Sequence, residues 1–113
     1  MPPTTGQDLL RGTLDLFILK ALSGGTMHGL GVLRWIEQAS RDRLQITEGA
    51  LYPALHRMEQ RGWLDAEWGV TERNREAKFY HLSPAGRRAL TAQLTRWNEY
   101  TEAVGFVLAA RGA

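Results

Sequence analysis

Few side chains in this sequence have the type and spacing for covalent or metal chemistry. Acid–base or nucleophilic catalysis needs a nucleophile beside a base, or paired carboxylates, converging in one pocket. His28, His56 and His81 fall in three separate stretches, without metal-ligand spacing, and there is no cysteine. Disulfides, thiolate catalysis and cysteine-ligated zinc are therefore excluded. The sequence argues against an enzyme and implies neither metal nor cofactor. A second chemistry is better served, that of contact with a polyanion. Arg73, Arg75 and Lys78 cluster around one short polar stretch, and Tyr52 and His56 are spaced four apart on a helical segment. A tyrosine hydroxyl can donate to a phosphate, and its ring can lie on a thymine methyl.

The elements that would position these residues can be read from the pattern. The segment TEGALYPALHRMEQRGWL, Thr47 to Leu64, is the most informative. Thr47 is a helix N-cap, and Leu51, Leu55 and Met58 recur at four and three residues, so they face inward. At 100° per residue the opposite side carries Gly49, Pro53, His56 and Gln60, flanked by Tyr52 and Arg57. Gly62 ends the helix at the C′ position. Pro53 leaves two options. Either the helix runs through it with a distorted first turn, or the regular helix begins near Pro53 as an N1 residue.

Two strands follow, Leu64 to Gly69 and Ala77 to Leu82. Leu64, Ala66 and Trp68 alternate with Asp65 and Glu67, and Tyr80 and Leu82 alternate with Phe79 and His81. This is the period-two pattern of a ribbon with one buried side. Its tip, Val70 to Glu76, holds Arg73, Asn74 and Arg75. Helix, strand, basic tip, strand is the order of a winged helix-turn-helix, which points to duplex DNA as the partner.

Upstream, Asp8 to Leu22 reads as a helix. Leu10, Leu14, Phe17, Ile18 and Ala21 share one side, and Leu9, Leu16, Leu19 and Leu22 make the other sides apolar too. A helix apolar nearly all round is buried in its own domain or against a second chain. Ser23-Gly24-Gly25 stops it. Thr26 to Ser40 reads as a second helix capped by Thr26, with Val32, Leu33 and Ile36 as its apolar side. Gly29 and Gly31 within it allow a close neighbour, either a packed helix or a phosphate. Arg41-Asp42-Arg43 is a turn, and Leu44 and Ile46 alternate as a very short strand would.

Ser83-Pro84 starts the last helix, as cap and N1 proline, and the helix runs to about Ala110. Leu90, Leu94, Trp97, Thr101, Val104 and Leu108 form a heptad seam along it. At 1.5 Å per residue it spans about 39 Å, more than a small domain needs to cover itself. An outward apolar seam calls for a partner helix, and a second copy of the chain supplies one. The expected organisation is residues 1–82 as a winged helix-turn-helix, whose first helix also enters the dimer interface, and residues 83–113 as a C-terminal dimerisation helix of the same fold. The fold class is mainly α with a small β-hairpin wing.

Composition agrees. A chain of 113 residues, 43% hydrophobic and 23% charged, is about one domain and should fold rather than stay disordered. The net charge of +2, from 14 basic and 12 acidic residues, permits nucleic-acid binding without arguing for it. Asp15 and Lys20 interrupt the most apolar stretch, and MPPTTGQ lacks the features of a signal peptide, so a cytoplasmic location is expected.

The segments LLRGTLDLFILKAL, MHGLGV, EGALYPALHRMEQRGWL, EWG and NREAKFYHLSPAGRRAL, together with the tryptophan-bearing last helix, resemble the PadR family of bacterial transcriptional regulators. The likeness covers roughly Leu9 to Leu108 and matches the short branch with a single C-terminal helix. One departure is Leu30, where the family often carries tyrosine. The resemblance implies a homodimer built from the first and last helices and repression at a pseudo-palindromic operator. It also favours a helix continuous through Pro53.

On this reading Thr47, Gly49, Tyr52, Pro53 and His56 present themselves to the major groove, and Arg73, Arg75 and Lys78 reach phosphates from the wing. Arg41 and Arg43 are secondary candidates, and Glu48 serves the helix dipole. The dimer interface is expected at Leu10, Leu14, Phe17, Leu90, Leu94, Trp97, Thr101, Val104 and Leu108. Some members of the family bind flat aromatic molecules between such tryptophans at the dimer interface. That implies a small aromatic effector at Trp97, with Phe17 and Leu14 lining the same space. The alternative is a winged helix used for protein–protein or RNA contact without specific operator binding.

Overall fold

The computed structural model describes the backbone from residue 5 to residue 113 and the side chains from residue 12 onward. The dimer candidate Leu10 lies outside the described side chains. The chain folds as α1 (Thr5–Leu22), β1 (Met27–His28), α2 (Gly29–Ala39), α3 (Glu48–Gln60), β2 (Leu64–Val70), β3 (Glu76–Leu82) and α4 (Pro84–Ala109). The three strands form one antiparallel sheet in the order β1-β3-β2. This is a winged helix-turn-helix with a long C-terminal helix, the fold class expected.

The core is built where the helical periods converge. Ile18, Leu19 and Leu22 of α1, Val32 of α2, Leu51, Leu55 and Met58 of α3, and Leu64 of β2 are all fully buried. Leu14 joins them at 7% exposure, so its surface is used inside its own subunit. Asp15, on the half-buried side of α1, ties α3 to α1 through Arg57 at 3.3 Å and Arg61 at 3.7 Å.

Two upstream expectations are corrected. Thr26 does not cap the second helix. Met27 and His28 first pair with Tyr80 and Phe79 of β3, and the helix starts at Gly29 with His28 as its cap. Local cap preference loses here to a sheet edge supplied from far along the chain. Leu44 and Ile46 do not form a strand, because among the described residues no other strand lies beside them. Side chains satisfy their backbone instead. The Leu44 amide donates to Ser40 Oγ at 3.1 Å, and the Ile46 amide to the Glu37 carboxylate at 3.3 Å. Ile46 is buried all the same.

Helix α3 runs without a break through Pro53. Its N-cap is Thr47, whose Oγ1 accepts from the Ala50 amide at 3.1 Å. The proline removes one donor to the Gly49 carbonyl, which lies on the exposed side of the first turn, where solvent can serve it. At the other end the Trp63 amide reaches the Met58 carbonyl and the Gly62 amide reaches that of Glu59, with Gly62 at φ +79. That pair of bonds is a Schellman cap, and the left-handed residue it needs is the glycine.

The β2–β3 ribbon pairs Leu64 with Leu82 and, at its far end, Val70 with Glu76. Leu64, Leu82 and Tyr80 are buried against the helices as the alternation requires. Trp68, expected on that buried side, is 73% exposed. It keeps the face that the alternation assigns, but it lies nearer the ribbon tip, beyond Ala66, which still packs on the core.

Helix α4 leaves the ribbon through Ser83. Its Oγ accepts from the Gly86 amide at 3.0 Å, donates to the Gly62 carbonyl, and lies 3.0 Å from the Trp63 carbonyl. Ala89 and Leu90 pack on the core, so Leu90 too is used within the subunit. From Thr91 to Ala109 every residue except Gln93 and Val104 is exposed. The distal helix makes the molecule long, with extents of 59 × 37 × 21 Å.

Candidate nucleic-acid interface

The exposed side of α3 carries Thr47, Gly49, Tyr52, Pro53 and His56, all of them open to solvent. The helical period puts them there, since Leu51, Ala54, Leu55 and Met58 take the inward side. Tyr52 is half-exposed at 43%, with its ring laid across the first turn of α2. A Cβ built on Gly29 would stand 2.6 Å from Tyr52 Cε1, so the glycine is what admits the ring. The close neighbour of Gly29 is therefore an aromatic side chain rather than a helix backbone. Burial, and then the charge of Glu48, push the Tyr52 hydroxyl above its ordinary pKa of 10.0. It remains a neutral donor.

Between the wing and the β1–α2 segment lies a groove of about 850 Å³, to which α3 contributes Tyr52. Tyr52, Arg73, Arg75 and Lys78, four residues singled out from the sequence, line it together. Thr47, Gly49, Pro53 and His56 stand outside the groove on the same exposed helix. Thr47 also uses its hydroxyl oxygen as the cap.

Each wall of the groove has a physical cause. Lys78 Nζ is 2.7 Å from Glu59 Oε1 and lies 5.7 Å over the Tyr80 ring. The hydrogen bond to Glu59 raises the Lys78 pKa above 10.5, against an opposing effect of desolvation. Lys78 is thus a held cation, with α3 as its anchor. At the tip, Asn74 takes φ 58, its amide donates to the Thr71 carbonyl at 2.8 Å, and the Arg75 amide donates to Thr71 Oγ1 at 3.2 Å. These bonds give the turn one shape and leave the Arg73 and Arg75 side chains exposed.

Sequence reasoning assigned no binding role to His28, Arg34 and Trp68, which also line the groove. His28 Nδ1 accepts from the Gly31 amide at 3.1 Å, which places the imidazole proton of the neutral ring on Nε2. Its ring stacks on Phe79 with centroids 5.5 Å apart and planes 13° apart. The signal for His28 was the MHGLG run, which reads as helix. Trp68 gave no signal, because its alternation matches a buried residue.

The residues proposed for an effector are not gathered in one subunit. Phe17 lines a concavity of about 210 Å³ with Lys20, Trp35, Ile36, Ala39 and Leu44, and neither Leu14 nor Trp97 belongs to that lining. Trp97 stands on α4 at 41% exposure, its ring 6.4 Å from that of Tyr100. Among the described residues no cluster of His, Asp and Glu could hold a metal ion, and no helix is long and apolar enough to cross a membrane.

A reading helix with an open N-terminal half, seated on a second helix and flanked by a structured wing, defines a winged helix-turn-helix DNA-binding regulator. Residues 18–92 match the model of the transcriptional regulator PadR-like family. The chain belongs to the PadR-like family of transcriptional regulators. It is 36% identical over 86 residues to the transcriptional regulator Rv3488 of Mycobacterium tuberculosis, a match covering 75% of this chain and 76% of that protein. A crystal structure of a PadR family transcriptional regulator from Eggerthella lenta superposes with a TM-score of 0.81 at 26% identity, covering 93% of this chain and 89% of that one. A transcriptional regulator from Clostridium thermocellum shares the fold, with a TM-score of 0.79 at 23% identity over 87% of this chain and 95% of that one. The family's regulators bind DNA, and this chain is a regulator rather than an enzyme.

Proposed function

We propose that the chain acts as a homodimeric repressor that binds a pseudo-palindromic operator in the cytoplasm. The observation that carries this reading is the placement of Tyr52, which stands on the open side of α3 and lines the groove shared with the wing. In this reading the N-terminal half of α3 enters the major groove, with Thr47, Gly49, Tyr52, Pro53 and His56 as its contact face. Gly49 has only the Thr47 hydroxyl near the space a side chain would fill, at 3.9 Å, so the backbone can approach the duplex closely. Arg73 and Arg75 reach phosphates from the wing, and Lys78 supports them as a cation held in place by Glu59.

Dimerisation is assigned to the distal part of α4. Leu94, Trp97 and Leu108 are exposed along the heptad seam, and Thr101 and Val104 continue it. Tyr100, Phe106 and Val107 widen the apolar surface beside it. Exposed apolar surface on this scale marks an interaction site. Among the described dimer candidates of the first helix, Phe17 is half-buried, whereas Leu14 is buried in the subunit core. A small aromatic effector would bind where the Trp97 side chains of two subunits approach one another.

The test is footprinting on the DNA upstream of the chain's own gene, followed by gel-shift titration against competitor duplex. A protected site with two half-sites about one helical turn apart is the expected result. Binding indifferent to competitor sequence would end the operator reading.

A further inference from the structure

The wing is poor in free positive charge. Between Glu67 and Lys78 it carries Arg73, Arg75 and Lys78 against Glu67, Glu72 and Glu76, and Glu59 already holds Lys78. Counterion release, which scales with the phosphates neutralised, is therefore a weak source of affinity at this element. What the wing does display is apolar. Trp68 is 73% exposed and Val70 is 59% exposed, next to one another on the ribbon side that faces the groove. Trp68 sits directly across from Lys78, and Val70 across from Glu76. A tryptophan left this open on a two-stranded ribbon contributes nothing to the core, and such surface marks an interaction site.

We propose that Trp68, with Val70 beside it, is the wing's principal contact with the duplex. The indole lies against the minor-groove wall next to the half-site read by α3. Its ring covers deoxyribose and its N–H donates to the acceptors on A·T base edges. This rests on the operator-binding reading above. The occupant follows from continuity, because Tyr52, Arg34 and Arg73 line the same groove as Trp68 and Val70. A flexible pyrimidine–purine step or an A·T-rich stretch beside each half-site is the sequence this contact favours. The contact adds affinity without adding salt dependence, since no phosphate charge is neutralised.

The experiment titrates the footprinted duplex with the wild type, Trp68→Ala, Trp68→Phe and the Arg73→Ala/Arg75→Ala double variant over a range of salt. Trp68→Ala is expected to weaken binding roughly 5- to 150-fold, the span of one aromatic–nucleotide contact, with the slope of log affinity against log salt unchanged. The double arginine variant is expected to flatten that slope by about 0.9 for each phosphate no longer neutralised. Trp68→Phe should retain most of the affinity and lose the A·T preference beside the half-site. Wild-type tryptophan emission should change when the duplex is added, and Trp68→Phe should lose that change, which gives a readout independent of affinity. If the wild type binds its site and Trp68→Ala binds equally well, the inference is overturned and the operator reading stands. A flattened slope for Trp68→Ala would mean that it acts through the cations, which also overturns the inference. A loss of dimer mass in Trp68→Ala would assign the patch to a second copy and overturn it as well. A wild type that binds no duplex sinks both readings.

Discussion

Tyr52 occupies the space that a side chain at Gly29 would need, its Cε1 standing 2.6 Å from where that Cβ would be. The first turn of α2 is therefore the seat on which the exposed tyrosine of α3 rests. The seat sets the tilt of the ring and leaves its outer surface to the groove. Gly29→Ala should displace the ring and lower operator affinity by about tenfold, the scale of one good groove contact, with only a small change in thermal midpoint. Tyr52→Phe keeps the packing and loses the donor, so a smaller loss is expected. Gel-shift titration of both variants is the check, and wild-type affinity in both would remove Tyr52 from the interface.

Stability should fall at alkaline pH. Lys78, Tyr80 and Tyr52 all have folded pKa values raised above their ordinary values of 10.5, 10.0 and 10.0. For Lys78 the main cause is the Glu59 hydrogen bond, and for the tyrosines it is burial. A raised folded pKa means the native state holds the proton more tightly. The stabilisation is full below the ordinary pKa and is lost as pH rises through the folded value. Thermal midpoints measured from about pH 8 to about pH 11 should hold level and then drop above about pH 10. Glu59→Gln should make that drop shallower by releasing Lys78. An identical alkaline profile in the variant would show that the pair does not form in solution.

Gly86→Ala tests the joint between wing and last helix. A Cβ there would stand 2.1 Å from the Trp63 carbonyl oxygen, which is backbone and cannot swing away. The same carbonyl accepts the Ser83 amide at 3.0 Å. Forcing α4 off this neighbour should cost roughly 1–3 kcal/mol, read from the urea midpoint. A neutral result would mean that α4 pivots freely on β3.

Thr47 has a structural and a proposed binding role, and two substitutions separate them. Thr47→Ala removes the cap on the Ala50 amide and should cost about 1 kcal/mol of stability. Thr47→Ser keeps the hydroxyl and should melt like the wild type. If Thr47→Ser also binds operator normally while Thr47→Ala binds weakly even when folded, the hydroxyl is the group that counts. Full stability in Thr47→Ala would refute the cap.

Leu94→Glu combined with Val104→Glu should yield folded monomers. Leu94 is exposed and Val104 half-buried on α4, so charge there should spare the core and disrupt a helix-to-helix seam. Light scattering reads the mass, and circular dichroism confirms that the helices persist. A wild type already monomeric at micromolar concentration would remove the seam from consideration.

Elements whose information is local were legible in the sequence. Thr47, the run Leu51, Leu55 and Met58, and Gly62 define α3 at both ends, because cap, period and C′ glycine are properties of neighbouring residues. Ser83-Pro84 places the start of α4 for the same reason. The alternation of β2 and β3 gave their pairing and the correct faces, though not how far the helices extend beneath them. Hence Leu64 is buried while Trp68, on the same face, is open.

What depends on distant partners was decided only by the tertiary structure. Two residues, Met27 and His28, become strand because β3 passes beside them, whereas Leu44 and Ile46 alternate without a strand alongside. Leu14 and Trp97 both sit on apolar helical seams, yet one is spent in the subunit core and the other faces outward. Lys78 reads as one more wing cation until the fold sets it 2.7 Å from Glu59. Hydrophobic period and capping follow from the order of residues along the chain, so the sequence by itself determined the type of each main element and the winged-helix class. Burial and charge pairing follow from which elements meet in space, so the makeup of the groove waited on the fold.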